Sequence, residues 1–152
     1  GVHTEFDLHI RTHVSIDLNG LHGALKIDLQ TPIDVEQIGG PFDVVTNFGT
    51  TEHVEDQERC WRNVHALVKP GGYLVCATPM DWPKHGRWYP TEEWYREFCE
   101  ANGYQVEAMF VEKDKLGYHT LCMRAKRIAD EAFAFPESAM IEMSEGKVGT
   151  YE

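Results

Sequence analysis

No apolar run in this sequence approaches the ~20 residues that a membrane-spanning helix needs, and no charged-then-apolar leader opens it. Lysine and arginine form no cluster: 14 basic residues stand against 25 acidic ones, a net charge of −11. Without concentrated positive charge, neither nucleic acid nor an anionic membrane is expected as a main partner. Cys60, Cys76, Cys99 and Cys122 form no CxxC pair and sit inside helix- or strand-like segments. Reduced structural thiols and a cytoplasmic location follow as expectations. The eight histidines are scattered, and the one i,i+4 pair, His9 and His13, runs into strand-like residues, so no metal site is expected. Glycine is the last scarcity. None stands between Gly1 and Gly20, so no glycine-rich turn that could cradle a charged ligand precedes Asp17.

What is present suits one domain of 152 residues, with residues 127–152 as a C-terminal extension. Phe6, Leu8 and Ile10 alternate as in a strand, although the frayed end of a helix fits them equally. HVSIDL (13–18) and ALKIDL (24–29) read as strands, stopped by Asn19-Gly20 and Thr31-Pro32. FDVVTN (42–47) is a third. The clearest helix spans Asp56 to Val68, with Cys60, Trp61, Val64, Leu67 and Val68 on one face. Pro70-Gly71-Gly72 stops it and turns the chain into a fourth strand, YLVCAT (73–78).

An aromatic loop containing Trp82, Trp88 and Tyr89 follows. Thr91 then caps a helix over Glu92–Asn102. QVEAMFV (105–111) and HTLCMRAK (119–126) read as a hairpin, and a short helix is expected around Ile128–Phe133. Strands separated by helices and ending in an antiparallel pair indicate an α/β open sheet.

In such a sheet, ligands bind beyond the carboxyl ends of the strands. Asp17, Asp28 and Asn47-Phe48 occupy three such ends. A carboxylate only accepts hydrogen bonds, which suits Asp17 to a ribose diol. Asp28 suits an exocyclic amine such as adenine N6, with Leu29 against the ring. Each aspartate taken alone also fits a turn cap.

SIDL, KIDL, FDVVTNFGTTEHV and LVKPGGYLV together resemble the class I S-adenosylmethionine-dependent methyltransferases, specifically the small-molecule type 11 kind. GRWYPTEEWYREFCEANGYQVEAMFV and GYHTLCMRAK resemble that family's later helix and last two strands, so the likeness covers residues 13 to 126. It implies a Rossmann-like open sheet, mostly parallel with a C-terminal antiparallel hairpin. It also implies S-adenosylmethionine as cofactor and a small-molecule methyl acceptor. By position, Asp17 is the ribose-binding acid, Asp28 and Leu29 contact adenine, and Asn47, Phe48 and Gly49 line the methionine end. His53 shapes the site or the entry to the next helix. Trp82, Trp88, Tyr89 and Trp94 would form the acceptor pocket, with His53 and His85 as candidate catalytic groups.

One departure from the family is large. The usual first strand and its glycine-rich loop have no counterpart before Asp17, which suggests an N-terminally incomplete methyltransferase. Weak or no cofactor binding by this chain alone is then expected. Something must fill the central strand position: the Phe6–Ile10 segment, a partner chain such as a second copy in a homo-oligomer, or further residues. The rival function is a non-catalytic methyltransferase-like domain serving as an assembly or interaction module. A nicotinamide-dependent reductase is disfavoured, because both a Tyr-x-x-x-Lys pair and the dinucleotide fingerprint are missing.

Overall fold

A computed structural model describes residues 10–144 and 146, so most of the alternating Glu5–Ile10 stretch lies outside the described residues. The two runs ending in aspartate form a small parallel pair, β1 (Ile16–Asp17) and β2 (Leu25–Lys26). They are shorter than the six-residue runs expected. Among the described residues each pairs only with the other, and a tight connection through His22 and Gly23 at positive φ joins them. The valine-rich run forms β3 (Phe42–Phe48), parallel to β4 (Val68–Pro79).

Between β3 and β4 lie a 3-10 turn, Thr51–His53, and α1 (Gln57–Leu67). The Asp56 carboxylate caps α1 by accepting from the Arg59 amide at 3.0 Å. The chain passes from α1 directly into β4, so Pro70-Gly71-Gly72 is a bulge inside the strand and not the turn before it. From Val68 to Tyr73 the strand advances five positions while β3 advances only two, from Phe42 to Val44. Gly71 adopts φ +83°, and a Cβ on Gly72 would stand 2.9 Å from the Asp43 carbonyl oxygen, so both positions require glycine.

After β4 come β5 (Trp88–Tyr89) and α2 (Glu92–Ala101), which Thr91 caps through a 3.0 Å bond from the Trp94 amide. β6 (Tyr104–Lys113) and β7 (His119–Arg127) form the expected antiparallel hairpin. The larger sheet has the order β3-β4-β7-β6. The architecture is therefore the mixed α/β open sheet anticipated. No helix among the described residues is long and apolar enough to cross a membrane.

The helix expected around Ile128–Phe133 does not form. The Gly103 carbonyl accepts from the Ile128 and Ala129 amides, and Asn102 both donates to the Ala134 carbonyl and accepts from its amide. Those bonds hold the segment extended along the end of α2. It carries Phe133, Phe135 and Met140 onto the core and ends in β8 (Ile141–Glu142), which pairs with β5. The core is filled by Trp61, Val64 and Val68 beside Trp94, Tyr95 and Phe98, over Leu74, Cys76, Leu121, Met123 and Ala125.

Burial pushes the Cys76 and Cys99 thiols up to about 12, so both are inert packing groups rather than nucleophiles. The opposite sheet face is different: Val44 and Phe48 are 55% and 64% exposed, and Phe110 is 52% exposed.

Arg127 closes the carboxyl end of α1, donating to the carbonyls of His65 and Val68. Beside it, His65 is buried, with Nδ1 3.0 Å from the Tyr104 hydroxyl and Nε2 3.1 Å from the Glu131 carbonyl. Burial lowers its pKa; the Glu131 carbonyl partly offsets this, the Arg127 charge lowers it further, and Asp130 opposes least. The unfolded chain consequently binds more protons than the folded one below the ordinary histidine value of about 6.5. Stability should therefore decline as pH falls from about 6.5 through the lowered value. Chemical denaturation at pH 7 and 5.5 should show this slope, and it should flatten in His65→Gln.

Candidate functional site

Two asparagine and glutamine side chains position the site. Asn63 on α1 donates to the carbonyls of Leu29 and Thr31 at 2.8 and 2.7 Å, tying the segment after β2 to the helix. Gln57 donates to the carbonyls of Thr51 and Val54 and accepts from the Trp61 indole at 3.0 Å, which fixes the 3-10 turn to α1. The cleft between these anchored segments is lined by Ile16, Asp17, Leu18, Ile27, Asp28 and Leu29 on one side. Gly49, Thr50 and His53 help to line the other. Its volume is about 110 Å³. Complete small-molecule pockets run to roughly 300–1,000 Å³, so the described residues wall only part of a cofactor-sized space.

The cleft brings together five residues singled out in the sequence: Asp17, Asp28, Leu29, Gly49 and His53. Each aspartate uses one oxygen locally. Asp17 Oδ1 accepts from the Asn19 amide at 3.0 Å, and Asp28 Oδ1 accepts from the Gln30 amide at 2.9 Å. The turn-cap reading thus holds for one oxygen of each, while both side chains still line the cleft.

Asn47 and Phe48 stand apart from it. Asn47 is buried and clamps the following loop through Thr51, donating to its hydroxyl at 2.9 Å and accepting from its amide at 3.3 Å. Phe48 points to the bare sheet face.

The aromatic quartet divides in the same way. Trp94 is fully buried against Trp61 and Phe98, with ring centroids 4.9 and 5.5 Å away, and so belongs to the core. The Tyr89 hydroxyl accepts from the Gly86 amide at 3.0 Å and donates to the Trp82 carbonyl at 2.5 Å, pinning the loop. Trp82 and Trp88 are half-buried. Trp82 packs on the His85 ring at 5.1 Å, and Arg87 stacks on Trp88 at 5.2 Å.

That loop rests on Glu52, which lies in the FDVVTNFGTTEHV run beside His53 and has no role expected from the sequence. The Glu52 side chain has no exposed surface. His85 Nε2 lies 3.1 Å from its Oε1, His53 Nε2 lies 3.7 Å from the same oxygen, and the two imidazoles meet edge to face at 4.7 Å. The two candidate catalytic histidines, 32 positions apart, are therefore one cluster. It sits beyond the carboxyl ends of the adjacent parallel strands β3 and β4. A depression on the outer face of α2, walled by Glu92, Glu93, Arg96, Glu97 and Glu100, is open charged surface by comparison.

Residues 14–109 match the family model described as a methyltransferase domain. Among curated proteins, the chain is 40% identical over 62 residues to a ubiquinone biosynthesis O-methyltransferase of Ruegeria pomeroyi, covering 40% of this chain and 25% of that protein. It is 33% identical over 85 residues to the Bordetella avium protein of the same name, covering 53% of this chain and 35% of that one. The chain thus spans a quarter to about a third of the length of these relatives. Among solved structures, 1,6-didemethyltoxoflavin-N1-methyltransferase of Burkholderia thailandensis, with bound 1,6-didemethyltoxoflavin and S-adenosylhomocysteine, aligns at 19% identity and a TM-score of 0.48. That alignment covers 62% of this chain and 48% of the other.

Proposed function

This chain belongs to the methyltransferase-domain family, whose cofactor is S-adenosylmethionine, and from that premise we propose that its cleft is the ribose and adenine portion of a cofactor site. The methyl group goes to an oxygen nucleophile on a small molecule. The observation that carries the cofactor reading is the convergence of Asp17, Asp28 and Leu29 on one cleft from two different strand ends. The Asp17 carboxylate accepts from the ribose hydroxyls, Asp28 accepts from the adenine amine, and Leu29 packs on the ring. The acceptor class is supported by the O-methyltransferase names of the curated relatives.

In the proposed reaction, the acceptor oxygen attacks the methyl carbon in line with the carbon–sulfur bond. That bond would break with the electron pair kept by sulfur, leaving S-adenosylhomocysteine, and the proton of the acceptor hydroxyl would pass to solvent. The sulfonium is already a good leaving group, so the protein contributes chiefly orientation and exclusion of water.

Calorimetric titration with S-adenosylhomocysteine tests the reading. Weak binding is expected, because the described cleft walls only part of the cofactor. Asp17→Asn should weaken it about 10- to 100-fold, the worth of a hydrogen bond to a charged group. Equal affinity in the two proteins would remove Asp17 from the site.

A second reading, an assembly module without catalysis, is favoured by the exposed Val44, Phe48 and Phe110 on the bare sheet face. A folded chain that self-associates and shows no S-adenosylhomocysteine binding would select it.

A further inference from the structure

We infer that Glu52, His53 and His85 form a binding site for one divalent cation of the zinc class, set at the wall of the cleft. One ligand atom from each residue lies within 4.8 Å of the other two. The Glu52–His85 and Glu52–His53 separations are 3.1 and 3.7 Å. A tetrahedral ion with bonds of about 2.0–2.2 Å holds its ligand atoms ~3.4 Å apart, so two of the three separations already fit. Small rotations of the half-buried histidine side chains bring the third into range.

Glu52 supplies independent support. Its side chain is completely buried, and its Oε2 has no hydrogen-bond partner among the described residues. An unpartnered buried polar atom costs of order 1–3 kcal/mol, and more when charged, so buried carboxylates are characteristically paired or bound to metal. Two imidazole nitrogens and one carboxylate oxygen suit zinc or cobalt, whereas magnesium and calcium prefer oxygen ligands. This donor set is also the three-ligand pattern that leaves a fourth position open.

The loop carrying His85 is built to stay in place. The Arg87 amide donates to the Glu52 carbonyl at 2.8 Å, and Arg87 pairs with both Glu55 and Glu142. On binding, the ion takes the Nε2 lone pair of the neutral His85 imidazole, whose single proton then sits on Nδ1. A nitrogen bound to the ion cannot also act as a general base, so both candidate bases become ligands. Cation binding is independent of the cofactor reading.

The test is a zinc titration of the metal-free full chain by calorimetry, with cobalt as a spectroscopic probe. One ion per chain at micromolar affinity or tighter is expected, with the intense visible absorption of tetrahedral cobalt. His85→Ala and His53→Ala should each weaken zinc binding at least tenfold. His119→Ala, which alters an imidazole paired with Asp81, should leave it unchanged. His85 lies on a surface loop, and thermal melting of the metal-free variant checks that its fold persists. Absence of stoichiometric zinc binding, binding that survives both histidine substitutions, or an octahedral cobalt spectrum would overturn the inference. S-adenosylhomocysteine titrations of the unsubstituted chain separate it from the cofactor reading: cofactor binding without zinc binding sinks only the metal site, and zinc binding without cofactor binding sinks only the cofactor reading.

Discussion

Trp94→Ala should destabilise the chain by about 3–5 kcal/mol, the usual consequence of emptying a buried tryptophan site. Trp94 has no exposed surface and packs against Trp61, Tyr95, Phe98 and Phe135, so no open neighbour can collapse into the space. Domains of this size are held together by roughly 5–15 kcal/mol in total, so the loss is a large share. At about 2–4 °C per kcal/mol for 150–250 residues, the melting temperature should drop by roughly 6–20 °C. Urea unfolding should show a lower midpoint with an unchanged slope. The Trp94 indole nitrogen has no partner among the described residues, so Trp94→Phe should cost much less. The comparison also decides between core and pocket. A tryptophan serving mainly to bind a methyl acceptor would change affinity for that acceptor and leave the unfolding midpoint nearly in place.

The division of Trp94 from Trp82 and Trp88 shows where the sequence was readable. Helical and strand periodicity is local, so α1, α2, β3 and the β6–β7 hairpin could be placed from their own residues. The cap residue Thr91 was legible for the same reason, whereas Asp56, expected as the first helical residue, is the cap of α1. Strand-end aspartates were legible because the open-sheet topology gives such positions a shared direction, and Asp17, Asp28 and Leu29 do line one cleft. Aromatic density carried no such direction. Trp94 follows an N-cap by three residues, which places it on the first turn of α2 but does not say which face of that turn is buried.

The Ile128–Phe133 segment failed for the opposite reason. Its composition allows a helix, but Gly103 and Asn102 take its backbone groups, and nothing near residue 128 announces a partner some 25 positions earlier. The Glu52–His53–His85 cluster was hidden by the same long separation. A glutamate next to a histidine at a helix entry looks like ordinary capping until β3 and β4 run parallel and bring the next loop, with His85, over it. The one sequence signal available was the glycine beside that histidine.

Gly86→Ala should separate the two loops of the candidate site while leaving most of the core intact. A Cβ at position 86 would stand 2.4 Å from Glu52 Cγ and 2.8 Å from Glu52 Cβ, both far inside van der Waals contact. Glu52 is fully buried and cannot swing aside, so the Trp82–Tyr89 loop must lift. Lifting breaks the Arg87–Glu52 backbone bond and the Gly86 amide bond to the Tyr89 hydroxyl. Overpacking of this kind costs typically 1–3 kcal/mol, and here the loop yields before the sheet does.

The expected signature is therefore local. Hydrogen exchange should accelerate across residues 82–89, while β4 and β7 keep their protection. Zinc affinity should fall at least tenfold, because His85 moves with the loop while Glu52 and His53 stay on the 3-10 turn. Should exchange in the loop remain slow while the whole chain loses stability, the loop is part of the cooperative core. The substitution would then report on folding rather than on the site. Equal zinc affinity with a lifted loop would place the ion's ligands elsewhere.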